Sequence, residues 1–297
     1  MTRRLGLDLG GTNIKVVVLD DSGGTQHVVY SDTVPTYAER GPAAVIKRMI
    51  DVVCSVTAAE EGIEAIGIGV PGLFNPKLGT IELFPNLPGS WPGQAIRDPV
   101  AEGVGLPVTL INDARAFTLA EGTIGAGRGS STLVCITLGT GIGGGIMFDG
   151  VLYTGPLGVA GEIAHQTVLP GGPLCGCGNR GCAEALAKAD AIAARAGRTT
   201  VEEVYAGVEA GEPDCVAAVE FAAYYLGIAL ANAVALLGPD RIVVGGGITQ
   251  AGDVVLNPIR DAVRTRVTLI PTDAIQVVAA ALGSGAGAVG AALATRV

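Results

Sequence analysis

Apolar positions along this chain fall into short runs separated by glycine-rich or polar punctuation. Residues 5–9 and 14–19 are apolar runs joined by Gly10-Gly11-Thr12-Asn13, and Asp20-Asp21-Ser22-Gly23-Gly24 leads into a third run at 26–33. This opening predicts a three-stranded antiparallel meander. A helical stretch at about 42–61 follows, then an apolar run at 63–70, a helix near 94–104 and a strand at 108–111. The second half begins again in the same way. A strand at 132–138 meets Gly139-Thr140-Gly141-Ile142-Gly143-Gly144-Gly145, and a further strand at 146–148 ends in an Asp149-Gly150 turn. Residues 182–237 read as helical, followed by a strand at 241–244, Gly245-Gly246-Gly247, a helix near 253–265, a strand at 276–280 and an Ala/Gly-rich final helix.

Strands alternating with helices place the chain in the α/β class. A strand, a Gly/Thr turn and a strand recur about 130 residues apart, which predicts two related α/β domains facing a cleft. Residues 1–113 are expected to form the smaller domain, which the C-terminal helix 284–297 can complete. Residues 114–283 form the larger one, and the hinge is expected near Asp113.

Composition narrows the function. With 297 residues, 49% of them hydrophobic, the chain can build two cores, and its 46 glycines follow no collagen-like period. Its 19 basic against 28 acidic residues give a net charge of −9 with no Lys/Arg cluster, so nucleic acid is not an expected partner. The mean hydropathy of +0.49 raises the question of a membrane, and residues 221–238 carry no charge. Their Ala/Gly content, Asn232 and the adjacent Glu220 read instead as a buried helix of a soluble domain that could also supply a subunit contact. Met1-Thr2-Arg3-Arg4 enters the first strand directly, without a signal-peptide pattern, so a cytoplasmic location is expected.

The turn Asp8-Leu9-Gly10-Gly11-Thr12-Asn13 sets a carboxylate at a strand end beside glycines and a hydroxyl, a composition able to hold polyphosphate. Alone, it is also the pattern of an ordinary hairpin. Its recurrence as Thr140-Gly141-Ile142-Gly143-Gly144 favours two turns clamping one nucleotide, with Gly245, Gly246 and Gly247 near the nucleoside. Neither turn has the Gly-Lys-Ser/Thr of a Walker loop or the spacing of a dinucleotide fold. Asn112-Asp113 ends a strand ahead of a helix, where Asp113 either caps the helix or faces the ligand edge as a general base. Glu162 and Glu184 bracket one loop, and carboxylates suit sugar hydroxyls, although either acid could simply be solvated.

His165, Cys175, Cys177 and Cys182 bring one imidazole and three thiols into a Gly-rich stretch with no apolar surroundings. Four such ligands have the chemistry of a closed structural zinc site, and a reducing compartment favours metal over disulfide.

Together these motifs resemble the ROK family of sugar kinases and repressors, within the actin-like ATPase superfamily. The resemblance spans nearly the whole chain: Asp8 to Asn13, Asn112-Asp113-Ala114, Gly139 to Gly145, Glu162 to His165, and Cys175-Gly176-Cys177-Gly178-Asn179-Arg180-Gly181-Cys182 stand in the family's order. It implies an actin-like, ribonuclease H-like fold and an ATP-dependent kinase for the 6-hydroxyl of a hexose, glucose first. Asp113 would be the base, and Asn86, Asn112, Glu162, His165 and Glu184 would hold the sugar. Asp8 would help place Mg2+, the Gly turns would hold ATP, and His165 would share the zinc. Family repressors carry an N-terminal helix-turn-helix before the first phosphate turn, whereas here that turn begins within the first ten residues, so an enzyme is expected. Family members are commonly dimers or tetramers. Two departures bear on the substrate: the usual Glu-x-Gly-His has Ala164, and Lys188-Ala189 stands where glucokinases have Ser-Gly. Kanosamine or another amino sugar or cyclitol, N-acetylmannosamine and fructose are the alternative substrates.

Overall fold

Arg3–Leu9 (β1) and Asn13–Asp20 (β2) pair antiparallel across a three-residue turn, with Leu9 opposite Ile14 and Asp8 opposite Lys15. His27–Pro35 (β3) completes the expected meander. The computed structural model describes residues 3–22, 25–84, 87–271 and 274–296. By its internal contacts the chain divides into two units, Met1–Ala120 with Gly285–Val297, and Glu121–Ser284.

In the first unit, Pro42–Ala59 (α1) starts on a proline whose missing N–H costs nothing at that position. Ile63–Val70 (β4) then pairs parallel with β1. Leu73–Asn75 (β5) and Thr80–Leu83 (β6) form a hairpin that the hydrophobic pattern did not announce, because three or four residues are too few to display a period of two. Arg97–Val104 (α2) ends at Gly105 in the left-handed region, Val108–Asn112 (β7) joins β4, and Asp113–Ile124 (α3) follows. The sheet order is β3-β2-β1-β4-β7. The boundary between units falls within α3 rather than at Asp113, since the helix runs through without a break.

The second unit repeats this plan. Thr132–Leu138 (β8), Ile142–Phe148 (β9) and Val151–Tyr153 (β10) form a meander, and the parallel strands Arg241–Gly245 (β11) and Gln276–Ala279 (β12) extend it in the order β10-β9-β8-β11-β12. The expected helical region is four helices: Ala183–Ala187 (α4), Ala189–Arg195 (α5), Val201–Glu209 (α6) and Pro213–Leu237 (α7). Extended backbone at Lys188, positive φ at Gly197 and Gly211, and a Thr200–Glu203 capping box separate them. Asp253–Arg266 (α8) packs on α7. Among the described residues α7 alone is long and apolar enough to cross a membrane, yet half of its most apolar window is buried, and Ala218, Leu226 and Leu230 belong to the second unit's core.

Ala286–Ala294 (α9) returns to the first unit and lies on β1 and β4. Leu5, Leu7, Ile66 and Ile68 point away into the core beneath α1, which leaves Gly6 opposite Gly67 on the helix-facing side. A Cβ on Gly6 would overlap the Ala288 carbonyl, and one on Gly67 the Ala291 carbonyl. Asp21, paired with both Arg4 and Arg296, fastens the end of α9, and the Arg296 hydrogen bond holds its carboxyl below the ordinary value.

Gly67→Ala should therefore force helix and sheet apart and lower the unfolding free energy by about 3 kcal/mol, at the upper end of overpacking costs. Gly285→Ala, with open space around the position, should stay within about 0.5 kcal/mol of wild type. Denaturant midpoints measure both, and equal stability of the two variants would contradict the packing argument.

Candidate functional site

Both Gly turns sit at the carboxyl ends of strands in the parallel part of their sheets, where α/β folds gather ligands. In the first unit the turn between β1 and β2 is closed by Gly10 N–H to the Asn13 carbonyl at 3.0 Å. Thr36, which sequence reading missed, clamps it from beyond β3: its N–H donates to the Thr12 carbonyl at 2.9 Å and its hydroxyl to the Gly10 carbonyl at 2.8 Å. Thr36 is fully buried; a Thr just past a strand carries no signal of such a role in the sequence. Gly11 and Thr12 are exposed, and among the described residues their N–H groups have no protein acceptor.

Asp8, the last residue but one of β1, faces α9. Burial pushes its carboxyl up, only partly offset by Lys15 across the hairpin. No hydrogen bond reaches it from the described residues, and a Cβ on Gly287 would come within 2.6 Å of its Oδ2. A carboxylate so placed fits a hard cation such as Mg2+, which takes one or two carboxylates plus phosphate oxygens.

At the end of β7, Asn112 is buried and its amide is fully engaged. Oδ1 accepts the Arg115 N–H at 3.1 Å, while Nδ2 donates to the Gly72 carbonyl at 3.1 Å and to Asp113 Oδ1 at 2.9 Å. Asn112 is thus the side chain that caps α3. Asp113, in the helix's first turn, has Oδ1 held by Asn112 and by the Ala114 N–H at 2.8 Å. Asn86 lies outside the described residues.

In the second unit the turn is shorter than the sequence suggested. Gly139 N–H donates to the Gly141 carbonyl at 3.0 Å, and β9 begins at Ile142, so Gly143 and Gly144 belong to a strand, opposite Thr137 and Ile136. Gly144 is required there by packing, because a Cβ on it would overlap the Gly161 carbonyl. Thr140 and Gly141 remain in the turn, their N–H groups without acceptors among the described residues. Gly245 ends β11. Gly246, at φ 94°, lies so close beneath β8 that a Cβ would overlap the Leu138 carbonyl, and Gly247 opens a short helical turn. Gly246 thus packs directly on Leu138, the residue before the Gly139–Gly141 turn.

The cysteine loop folds on itself through Cys175 N–H to the Asn179 carbonyl at 2.8 Å and Gly178 N–H to the Cys175 carbonyl at 3.0 Å. It brings His165, Cys175, Cys177 and Cys182 together with all four ligand atoms within 4.8 Å of one another, and the three thiols are free. Cys177 and Cys182 are 3.7 Å apart, close to the sulfur–sulfur edge of about 3.8 Å for tetrahedral zinc with 2.3 Å bonds. Desolvation pushes the Cys175 thiol up to about 12 and raises Cys182, whereas the Asn179 N–H lowers Cys177. His165 presents Nδ1 to Cys175 Sγ at 3.5 Å and Nε2 toward Glu162 Oε2 at 3.9 Å, so the ring can serve the thiol cluster at one nitrogen and Glu162 at the other. Glu184, expected to face a sugar, accepts the Ile142 N–H at Oε2 at 2.9 Å, and its Oε1 lies 3.4 Å from the Cys175 sulfur. Ala164 is buried in the second core, and Ala189 N–H donates to the Gly139 carbonyl at 3.0 Å.

A family model described as the ROK family matches residues 4–296. The chain is 37% identical to the glucokinase of Thermotoga maritima, with 97% of this chain and 95% of that protein aligned. Among solved structures it is similar to a ROK family glucokinase from Streptomyces griseus in complex with glucose and AMPPNP, at 33% identity and a TM-score of 0.84 over 99% of each chain. It is likewise similar to the ROK hexokinase from Thermus thermophilus, at 36% identity and a TM-score of 0.84 over 98% of this chain and 97% of that one.

The ligand geometry leads to a metal prediction. Elemental analysis of purified protein should find one zinc per chain, and Cys177→Ala, which opens the tetrahedron, should lose it and unfold at lower temperature. Active protein free of zinc would rule the assignment out.

Proposed function

The chain belongs to the ROK family, with its actin-like ATPase fold, and from that premise we propose that it is an ATP-dependent sugar kinase acting on glucose at the 6-hydroxyl. The observation that carries this reading is the likeness, over 99% of each chain, to a glucokinase crystallised with glucose and an ATP analogue together. The Gly turns and the carboxylates of this chain supply the matching chemistry.

In the mechanism we assign, the Asp113 carboxylate accepts the proton of the sugar hydroxyl as the hydroxyl oxygen attacks the terminal phosphorus of ATP and ADP leaves. Asn112 orients the carboxylate through the bond to its Oδ1. Unshared N–H groups at Gly11, Thr12, Thr140 and Gly141 stabilise negative charge on the phosphates, as backbone concavities of this kind do. Asp8 would hold Mg2+, which neutralises phosphate charge when bound. Glu162 accepts hydrogen bonds from the sugar hydroxyls, and His165, with Nδ1 turned to the thiols, donates at Nε2. Zinc, held by His165, Cys175, Cys177 and Cys182, would be structural. Assembly into dimers or tetramers through α7 belongs to the same reading, supported by Tyr224 and Leu236, which are 52% and 81% exposed on that helix.

Asp113→Asn keeps the shape but cannot accept a proton, so kcat should fall by about 10² to 10⁴ with little change in sugar affinity. Retention of more than about a tenth of wild-type kcat would remove Asp113 from the base role. Comparing kcat/KM for glucose, 2-amino-glucose, 3-amino-glucose, mannose and fructose tests the substrate. Glucose should lead, and another sugar exceeding it about tenfold would displace glucose while leaving the sugar-kinase mechanism in place, since a mispaired polar group alone can discriminate by more than that.

A further inference from the structure

Glu184 connects the cysteine loop to the second phosphate turn. It stands in the first turn of α4, two residues after Cys182, and its Oε2 takes the N–H of Ile142, where that turn enters β9, at 2.9 Å. A Cβ on Gly141 would lie 3.0 Å from the same oxygen, so the turn is packed against the carboxylate as well as bonded to it. Its other end is held by the same stretch of chain, because Ala189 N–H at the start of α5 donates to the Gly139 carbonyl at 3.0 Å. The stretch 183–189 is in turn fixed to the metal loop. It follows Cys182 directly in the chain, and Ala183 N–H donates at 3.1 Å to the carbonyl of Gln166, one residue past His165.

We infer that Glu184 is a positioning residue for the nucleotide: its carboxylate sets the conformation of the 139–142 turn, so that the order of the metal loop is passed on to phosphate binding. The inference rests on the kinase reading above. The two unshared N–H groups of the turn, at Thr140 and Gly141, lie between the Gly139 and Ile142 anchors. Their directions are defined only while both anchors hold. A carboxylate–amide bond is charge-assisted and shared with no other donor on the turn, so its removal frees one end of a segment rich in glycine.

The test compares Glu184→Ala with Glu184→Gln in three measurements: zinc content, hydrogen exchange over residues 138–145, and calorimetric titration with a non-hydrolysable ATP analogue and Mg2+ in the absence of sugar. Zinc content shows whether each variant retains the folded loop. Glu184→Ala should speed exchange at Ile142 and weaken nucleotide binding by about tenfold each, the size expected for a lost charged hydrogen bond. Glu184→Gln, which keeps a carbonyl oxygen for the Ile142 N–H, should remain within about threefold of wild type in both. Unchanged exchange and sugar-free nucleotide affinity in Glu184→Ala, with loss confined to sugar binding, would overturn the inference. A wild-type chain that binds no nucleotide would instead overturn the kinase reading beneath it.

Discussion

Backbone lying directly on backbone, without side chains between, is the constraint from which the rest of this structure follows. Helix α9 can settle on β1 and β4 only because Gly6 and Gly67 stand side by side on the face it covers. That approach brings Gly287 against the Asp8 carboxylate, and the resulting burial is what raises the proton affinity of Asp8. The second unit uses the same device, among other places at Gly144 under the Gly161 carbonyl, at Gly246 under Leu138 and at Gly181 under the Leu169 carbonyl. An aromatic content of 4% beside 46 glycines is the compositional trace of this architecture, since contacts made at backbone distance leave no room for rings.

The two sheets have one strand order and one pattern of directions, but their turns are not electrostatic copies. Leu9 pairs with Ile14 in the first and Leu138 with Ile142 in the second, which makes Thr137 the counterpart of Asp8 and Gly143 the counterpart of Lys15. The second turn therefore lacks both charges of the first. Asp8 is the single carboxylate on strands β1 and β8, and the backbone of each turn otherwise offers neutral N–H groups. Neutral donors hold phosphate without the heavy desolvation cost that buried lysines would bring.

What the sequence revealed, and what it hid, follows from the range of each interaction. Strands β1, β2, β4, β8 and β11 were legible because burial writes itself into runs of apolar residues, and the cysteine tetrad because few other chemistries place three thiols among glycines. The extent of the second turn was not: Gly143 and Gly144 look like loop residues in a string of letters, and only the approach of Gly161, seventeen residues after Gly144, shows why a strand needs glycine there. Asn112 and Asp113 illustrate the same limit. Both residue types cap helices, and the choice of Asn112 depends on a bond to Arg115 N–H and another to Gly72, forty residues earlier. Thr36 and Glu184 owe their roles to partners far away in sequence, so residue type alone could suggest polarity for them but not a partner.

The two departures from the family pattern find their explanation in the same geometry. Ala164 turns its methyl into the second core, and Ala189 acts on the turn through its backbone N–H, which any residue except proline would supply. Neither substitution therefore changes the polar groups offered by Glu162 and His165. With Nδ1 of His165 directed at the thiols, a ligand at that nitrogen leaves the ring's remaining proton on Nε2, beside Glu162. The pair then offers one donor and one acceptor at neighbouring points. A hydroxyl satisfies both, since it can accept from the imidazole while donating to the carboxylate. On the sugar-kinase reading proposed above, an ammonium, which only donates, would satisfy Glu162 and oppose the Nε2 proton, so this pair would favour a hydroxyl.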